Sequence, residues 1–160
     1  MKIRKVSQQD KEQLKSLVYQ FYVEDKKRYS EYLQDREKYK NKERVIEETV
    51  NDYLSDKKYL IYAAEKEGNL VGYTVGEVKE KPHKVFDKEG HVQDWFVTEG
   101  NRGSAIGKSL LEALIMEFKR FRCTHIMLSA YFENKKAIEI YHKMGFNNHL
   151  LVLRKDLKLL

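Results

Sequence analysis

DWFVTEGNRGSAIGKSLL, which spans residues 94–111, is the stretch that decides the fold of this chain. An apolar run typical of a strand ends at Thr98, small residues then turn the chain, and an amphipathic helix follows. Small side chains let the backbone approach a ligand, and the unpaired N–H groups at the start of a helix attract an anion. A turn that needs glycine only for its angle is the structural alternative, because a glycine-rich motif alone is a weak signal. The pattern favours a site for a phosphate or pyrophosphate.

Strands and helices alternate on both sides of this stretch. The predicted strands cover residues 2–6, 59–64, 70–75, 91–98 and 125–130 and a last segment near 150–153, with a tight turn at 67–69 joining the second and third. The predicted helices follow a capping box at Ser7 and Asp10, contain residues 46–54 and 106–118, and cover residues 134–144. The order β-α-α-β-β-β-α-β-α-β indicates one mixed α/β (α+β) domain over residues 1–160. The strands at either end of the step from 93 to 129 are expected to pair in parallel through a right-handed crossover.

Composition excludes several classes of protein. The chain has 160 residues, of which 41% are hydrophobic and 35% charged, as in an ordinary globular domain. Its single cysteine, Cys123, excludes an intrachain disulfide and a thiolate-rich metal site, and no metal is expected. No apolar run approaches the ~20 residues of a membrane span, and the polar N-terminus lacks the apolar segment of a signal peptide. A cytoplasmic protein with no membrane partner is expected.

The net charge of +6 raises the question of nucleic-acid binding. The basic residues are interleaved with acidic ones, as in Glu24-Asp25-Lys26-Lys27-Arg28. A mixed run of this kind is typical of a solvated face and not of a phosphate-binding stripe, so nucleic acid is not an expected partner. A mild excess of positive charge also suits a protein whose cofactor is a polyanion.

Two familiar phosphate loops do not fit the turn. The sequence Gly107-Lys108-Ser109 lacks the partner glycine of a P-loop at the required spacing. Ala105 and Gly107 are not followed by the third glycine of a Rossmann fingerprint, because Leu110 occupies that position. Both motifs are therefore excluded.

A second motif lies near the C-terminus. On the predicted helix, Asn134, Ala137 and Tyr141 recur at spacings near those of a helical turn, which aligns an amide, a small side chain and a phenol along one side. A core stripe formed by Ala137, Tyr141 and Met144 has the same spacing. Taken alone, the helix favours the core stripe.

Taken together, the two motifs resemble those of the GNAT acetyltransferases, and most of all the small amine and polyamine N-acetyltransferases. The acetyl-CoA signature of that family is an Arg/Gln-x-x-Gly-x-Gly/Ala turn after the fourth strand. Arg102-Gly103-Ser104-Ala105-Ile106-Gly107 is similar to it, except that Ala105 stands where the first glycine is expected. The later motif of the family, Asn-x-x-Ala-x-x-x-Tyr-x-x-x-Gly-Phe, is matched by Asn134, Ala137, Tyr141, Gly145 and Phe146. The resemblance extends from about residue 59 to the C-terminus, and it covers the first two helices only in layout.

The resemblance implies a cofactor site. In GNAT proteins the fourth and fifth strands splay, and the pantetheine arm of acetyl-CoA lies in the gap and pairs with strand backbone. Phe96, Val97 and Thr98 would supply these strand contacts, and Asn134 would touch the arm. The pyrophosphate would lie on the turn. The residues implied there are Arg102, Gly103, Ser104, Ala105, Ile106, Gly107 and Lys108.

The resemblance also implies a mechanism. The acceptor amine attacks the thioester directly, and Tyr141 gives a proton to the departing thiolate, which a phenol of ordinary pKa ~10 can do at neutral pH. The polyamine-acetylating branch has Glu-Asp-Phe-Phe-Val where this chain has Gln93-Asp94-Trp95-Phe96-Val97. Because a glutamine cannot accept a proton, Asp94 is the first candidate for the general base and His91 the second. A purely structural role for both is the alternative, in which case the amine arrives already deprotonated.

The expected partner is an acceptor, either a small-molecule amine or an amine of a protein. The segment 24–44 and the loop 79–90 would grip it. The aromatic and acidic residues suited to this are Tyr22, Glu24, Asp25, Tyr29, Glu31, Tyr32, Asp35 and Tyr39, although a solvated helical connection explains the same pattern. The sequence thus predicts an acetyl-CoA-dependent N-acetyltransferase. The rivals are a non-catalytic GNAT-like acyl-CoA sensor and a basic RNA-docking module, and a homodimer stays open.

Overall fold

The strands and helices are taken from a computed structural model, which describes residues 1–28, 41–153 and 155. The strands in this part of the chain are β1 (Lys2–Lys5), β2 (Tyr59–Lys66), β3 (Asn69–Glu80), β4 (Lys88–Val97) and β5 (His125–Leu128). The helices are α1 (Lys11–Arg28), α2 (Lys42–Ser55), α3 (Ile106–Arg120) and α4 (Lys135–Lys143). The elements divide between two compact units, Met1–Ser129 and Ala130–Leu160. The prediction of a single domain over the whole chain stays a prediction.

The five strands of the first unit form one mixed sheet in the order β1-β2-β3-β4-β5. The first three pairs are antiparallel, and β4 and β5 are parallel. The hairpin between β2 and β3 turns at Glu67 and Gly68, whose φ angles of 52° and 79° are both positive, as a type I′ turn requires. The predicted hairpin and the predicted parallel pair are therefore confirmed.

Helices cover both faces of this sheet. On one face α1 and α2 pack against the strands through a buried apolar cluster: Leu14, Leu17, Val18, Ile46, Val50, Ile61, Ala63, Leu70, Tyr73, Val75 and Phe96. On the other face α3 lies directly on two strand glycines. A Cβ atom on Gly76 would stand 2.6 Å from Leu114, and one on Gly90 would stand 2.5 Å from Phe118. Glycine at these two positions therefore lets α3 approach the sheet closely.

The capping box before α1 is confirmed. Ser7 donates hydrogen bonds from its N–H (2.8 Å) and its hydroxyl (3.0 Å) to Asp10 Oδ2. Arg4 adds two more hydrogen bonds to the same carboxylate, at 2.9 and 2.8 Å. Asp10 is buried, and the hydrogen bond from Arg4 outweighs the effect of burial and holds the pKa of the carboxyl well below its ordinary value. This network fastens β1 to the start of α1.

The sheet opens part-way along β4. Gln93 lies between Val92 and Asp94, which both pair with β3, but no residue of β3 stands opposite Gln93 in the register, so it forms a bulge. β5 pairs with β4 only as far as Val92. β4 continues to Val97, and the described chain places no strand beside it on that side. The loss of pairing agrees with the splayed fourth and fifth strands that the resemblance implied.

The strands on both sides of the β3–β4 connection are longer than predicted. The sequence predicted a loop over 79–90, whereas β3 continues to Glu80 and β4 begins at Lys88. Lys79 pairs with Glu89 across the strands, and Glu80 pairs with Lys88. Cross-strand pairs of opposite charge stabilise a ladder without any apolar alternation, which is why the strand ends were missed.

Two strand predictions near the C-terminus are wrong. β5 ends at Leu128 and not at Ala130. No strand forms at residues 150–153, which have no regular structure and are between 71% and 84% exposed. An apolar run becomes a strand only when another strand pairs with its backbone, and the described chain pairs none with this run.

Candidate active site

Backbone N–H groups line the turn that precedes α3. None of the N–H groups of residues 103–108 donates a hydrogen bond within the described chain, and the first helical bond runs from the N–H of Ser109 to the carbonyl of Ala105 (3.0 Å). No side chain caps this end of α3, and the first turn contains no acidic residue. Unpaired N–H groups at a helix start carry partial positive charge. The turn can therefore hold an anion, as the sequence pattern indicated.

Ala105 has a backbone conformation that usually requires glycine. Its φ of 61° and ψ of 1° lie in the left-handed region, which costs alanine about 1–2 kcal/mol. Gly103, in the same turn, has a φ of 79°. Left-handed residues in a turn help successive N–H groups to converge on one anion. The departure from the family signature at Ala105 is therefore accommodated as local backbone strain.

Trp95 braces the first turn of α3. Its indole Nε1–H donates a hydrogen bond of 2.9 Å to the carbonyl of Gly107. A Cβ atom on Gly107 would lie 3.5 Å from the indole ring, an ordinary contact distance. The contact fixes the position of the turn relative to β4.

Arg102 is held by its own neighbours in the fold. Its Nε donates a hydrogen bond to the carbonyl of Val97 (2.8 Å), and its Nη2 pairs with Glu24 at 2.5 Å. The guanidinium also lies 5.5 Å from the centroid of the Phe96 ring. Because Glu24 partly neutralises this charge, the backbone N–H groups are the main anion-binding groups of the turn.

The other residues predicted on the turn contribute in different ways. The hydroxyl of Ser104 donates to the carbonyl of Asn101 (2.6 Å), which shapes the turn. Lys108 is exposed and lies 3.7 Å from Glu112 on the next turn of the helix. The side chain of Ile106 is buried between α3 and the sheet, so Ile106 can offer only its N–H to a ligand.

The end of β4 offers an open backbone edge. Phe96 packs towards α1 and α2, and Val97 packs towards α3. Thr98 donates hydrogen bonds from its N–H (3.0 Å) and its hydroxyl (3.1 Å) to the carbonyl of Val71. In the described chain no strand pairs with the edge that faces away from β3 after Val92, where the carbonyl of Val97 accepts from Arg102, and an extended ligand can pair with such an edge as an additional strand.

Asp94 lies at the start of this open edge and is held by two phenols. Its Oδ2 accepts a hydrogen bond of 2.9 Å from Tyr53 on α2 and another of 2.9 Å from Tyr73 on β3. Burial raises the pKa of Asp94, although the two phenol hydrogen bonds act against that rise. A carboxylate with a raised pKa is a better proton acceptor, so the first candidate base is suited to that role.

His91, the second candidate base, belongs to a cluster around a buried carboxylate. Its Nε2 is hydrogen-bonded to Glu89, which also pairs with Lys81 and, at 3.2 Å, with His125 Nε2. Burial alone would raise the pKa of Glu89, but the hydrogen bonds from Lys81 and His91 outweigh it and lower this pKa to about 2. We call these four residues the Glu89 cluster. Because His91 is already hydrogen-bonded within this cluster, Asp94 is the better candidate for the base.

In the second unit, Asn134 caps the start of α4. Its side-chain Oδ1 accepts a hydrogen bond from the N–H of Ala137 (3.3 Å). An N-cap of this kind satisfies one of the N–H groups that a helix start leaves unpaired. The amide nitrogen of the Asn134 side chain keeps its donors for other partners.

The end of α4 forms a Schellman motif. Gly145 has a φ of 89°, and its N–H donates to the carbonyl of His142 (3.0 Å). The N–H of Phe146 donates to the carbonyl of Tyr141 (3.0 Å), and the two rings meet edge to face with centroids 6.3 Å apart. These are the two bonds and the apolar contact of the motif. The fixed positions of the C-terminal motif therefore also serve to cap this helix.

A family model described as the Acetyltransferase (GNAT) family matches residues 18–146. The chain belongs to this family. The match includes the open edge of β4, the anion-binding turn and the helix with the C-terminal motif, and it confirms the resemblance that the two motifs carried.

Several curated acetyltransferases are similar to part of this GNAT chain. The spermine/spermidine N(1)-acetyltransferase of Bacillus subtilis is 34% identical over 83 residues, which cover 50% of this chain and 54% of the relative. The matches span only 39% to 54% of the length of the first three curated relatives.

Two solved structures share the GNAT fold almost from end to end. A mutant of the BH1408 protein from Bacillus halodurans has a TM-score of 0.83 and 22% identity, with 98% of this chain and 99% of that chain covered. A predicted acetyltransferase from Clostridium acetobutylicum, solved with acetyl-CoA, has a TM-score of 0.76 and 18% identity, with 97% and 95% covered. The predicted mixed α/β GNAT fold is confirmed.

Five of the acceptor residues predicted for this GNAT chain are not among the residues that the structure describes. Tyr29, Glu31, Tyr32, Asp35 and Tyr39 lie outside the described residues. Of the two described side chains in this set, Glu24 pairs with Arg102, and Tyr22 packs against the core. In the part of the chain that the structure describes, no helix has the length and apolarity to cross a membrane, and no group of three or more His, Cys, Asp and Glu residues is arranged to hold a metal ion.

Sequence reasoning missed three features of the site. The phenols of Tyr53 and Tyr73 reach Asp94 from positions 41 and 21 residues away in the chain, so no local sequence motif indicates this contact. The bond between Trp95 and Gly107 joins a strand to a helix and leaves no periodic signal. Glu89 was assigned to a loop, because strand β4 was expected to begin later.

Proposed function

We propose that this protein transfers an acetyl group from acetyl-CoA to a primary amine. The observation that carries the proposal is the row of unpaired N–H groups at residues 103–108, which lies directly after the strand edge left open beyond Val92. The first feature suits a pyrophosphate and the second suits an extended pantetheine arm. Membership of the GNAT family and the acetyl-CoA in the related Clostridium acetobutylicum structure support the same donor.

In the proposed complex, the chain holds the donor mainly through its backbone. The N–H groups of 103–108 bind the pyrophosphate, and the β4 edge at 96–98 pairs with the arm. Asn134 donates to the arm from its amide nitrogen. Backbone N–H groups of the same edge stabilise the negative charge that develops on the thioester oxygen.

The proposed transfer is a direct attack. The amine nitrogen forms a bond to the thioester carbon while the carbon–sulfur bond breaks. The proton that the amine loses goes to Asp94, and the thiolate that leaves receives a proton from Tyr141, so the products are an amide and the free thiol of coenzyme A.

The proposed acceptors are aliphatic amines, and polyamines are the first to test. The support is the similarity to the spermine/spermidine acetyltransferase of Bacillus subtilis. A carboxylate at position 94 beside the reacting edge also suits a cationic amine, because it can attract the ammonium form, which loses its first proton to water and then attacks as the neutral amine.

The experiment that tests the proposed function is an assay of thiol release from acetyl-CoA with a panel of amines. The panel contains spermidine, spermine, a lysine-containing peptide, a peptide with a free N-terminus and an aminoglycoside. We expect amine-dependent thiol release with at least one of them. Tight binding of acetyl-CoA without turnover of any amine would instead support an acyl-CoA sensor and contradict the proposed activity.

The turn itself is tested by placing a negative charge on it. Gly107→Asp puts a carboxylate where the pyrophosphate is proposed to lie, so we expect the Kd for acetyl-CoA in calorimetry to rise at least about tenfold. Gly107→Ala is the matched control, because its Cβ makes only an ordinary contact with Trp95 and adds no charge. Equal affinities in the wild type and the aspartate variant would exclude the turn as the pyrophosphate site.

The brace between β4 and α3 is tested by Trp95→Phe. The ring contact stays largely in place, but the hydrogen bond to the carbonyl of Gly107 is lost. A single hydrogen bond contributes about 1 kcal/mol, so we expect the KM for acetyl-CoA to rise about 5-fold while kcat changes little. The KM for the amine serves as the internal control. A fall in kcat with an unchanged KM for acetyl-CoA would contradict the bracing role.

A further inference from the structure

We infer that Tyr53 and Tyr73 are positioning residues, which occupy one oxygen of Asp94 and present the other oxygen to the amine. The inference rests on the proposed function, because it takes Asp94 as the group that accepts the proton. It assigns a role to two tyrosines that belong to neither of the family motifs. One of them comes from α2 and the other from β3, so two separate elements fix the same carboxylate.

The contacts of Asp94 divide its two oxygens into different roles. Both phenols donate to Oδ2, each at 2.9 Å, while Oδ1 accepts no hydrogen bond from any described residue. The carboxylate plane is therefore set by two donors from different directions. A proton acceptor that is held in one orientation needs little reorganisation when the substrate binds, which favours proton transfer.

The bulge at Gln93 gives this arrangement its place in the sheet. Without the additional residue, strand alternation would turn the side chain at position 94 towards α3. With the bulge, Asp94 shares the face of Phe96 and Tyr73, where α2 supplies Tyr53. Asp94 lies two residues beyond Val92, the last residue of β4 that pairs with β5. The held carboxylate therefore lies where the strand edge becomes available to the donor.

The phenols of Tyr53 and Tyr73 are suited to donate hydrogen bonds to Asp94 and not to accept a proton. Burial and the charge of Asp94 raise the pKa of Tyr53 well above its ordinary value, so Tyr53 keeps its proton throughout the physiological range. Tyr73 is fully buried. The ionisable residues of β4 closest to Asp94 in sequence are His91 and Glu89, and these are hydrogen-bonded to each other. The described groups that donate to the carboxylate of Asp94 are the two phenols, and the hydroxyl of Thr74 donates to its backbone carbonyl at 2.9 Å.

The test removes one phenol oxygen and keeps the ring. Without the hydrogen bond from Tyr53, the ionised form of Asp94 loses stabilisation and its pKa rises. In Tyr53→Phe we therefore expect the acidic limb of the kcat/KM profile for the amine to move up by about one pH unit, the size of a hydrogen bond to a charged group. The KM for acetyl-CoA should stay within about twofold, since the turn is untouched.

Tyr62→Phe is the matched control. Tyr62 also donates a phenol hydrogen bond of 2.9 Å to a partly buried carboxylate, that of Glu117, but it does so on the α3 side of the sheet. The control should lose comparable thermal stability and keep the wild-type pH profile. An equal shift of the acidic limb in both variants would show a general effect of destabilisation and overturn the inference.

A second measurement does not depend on turnover. Carboxyl carbon NMR, with the Asp94 signal assigned by its loss in Asp94→Asn, follows the titration of this one group. We expect the midpoint to rise in Tyr53→Phe and in Tyr73→Phe and to stay constant in Tyr62→Phe. A wild-type protein that releases no thiol with any amine would contradict the proposed function. An unchanged titration midpoint of Asp94 in Tyr53→Phe and Tyr73→Phe would contradict this inference, even if the enzyme is active.

Discussion

Tyr141→Phe is expected to lower kcat by about 10²–10⁴-fold, the usual contribution of a general acid, provided that chemistry limits turnover. The substitution removes only the hydroxyl group. The edge-to-face contact with Phe146 and the backbone bonds at the end of α4 do not involve that group. Calorimetry with acetyl-CoA should therefore give nearly the wild-type affinity, while steady-state kinetics with the best amine of the panel shows the loss.

Two quantities measured on the same variant separate catalysis from packing. If Tyr141 were only a packing residue, Tyr141→Phe would lower the Tm and leave kcat near normal in the folded protein. Tyr131→Phe, at a partly exposed position in the same unit, controls for the loss of a phenol as such. A stable and fully active Tyr141→Phe enzyme would falsify the general-acid role and show that the thiolate obtains its proton elsewhere.

The second large effect is expected in the Glu89 cluster. Glu89→Gln should lower the free energy of unfolding by about 2–3 kcal/mol, because Lys81 and His91 lose the charged acceptor of their hydrogen bonds. Glu80→Gln is the matched control, since Glu80 also pairs with a lysine of the same hairpin, Lys88, but is largely exposed. Its effect should stay below about 0.5 kcal/mol. Urea denaturation measures both.

The Glu89 cluster also predicts how stability depends on pH. The folded-state pKa of Glu89 is about 2, below the ordinary value of about 4.3 for an unfolded chain. Its stabilisation is therefore complete above the unfolded value and is lost as the pH falls through the folded value. Between pH 5 and 2, roughly, the free energy of unfolding of the wild type should fall more steeply than that of Glu89→Gln. Parallel curves for the two proteins would contradict the assigned ionisation.

Most of the secondary structure could be predicted because its signals are local. The apolar spacing of Leu14, Leu17 and Val18 marks one face of α1, and all three are buried. The charged ends of β3 and β4 carry no such pattern, because residues of opposite charge stand opposite each other there, as Lys79 does with Glu89 and Glu80 with Lys88. The bulge at Gln93 is set by how two strands align over many residues, which a single strand sequence does not specify.

The candidate site could be predicted in part for a similar reason. The turn at 103–108 and the capped helix α4 are contiguous segments, so their glycines, Asn134 and Phe146 leave a fixed spacing in the sequence. The phenols that hold Asp94 come from two other elements and meet it only after the sheet has formed. Their contribution depends on three-dimensional packing, and no local spacing encodes it.

The contact between Trp95 and Gly107 has a practical consequence. Trp95 is the only tryptophan among the 160 residues, and its indole ring touches the turn proposed for the pyrophosphate. Indole emission depends on the polarity and charge of the surroundings, so the intrinsic fluorescence of the protein should report occupancy of this turn without any label. Acyl donors of different chain length and candidate inhibitors can then be ranked by direct titration, even before a productive amine is identified.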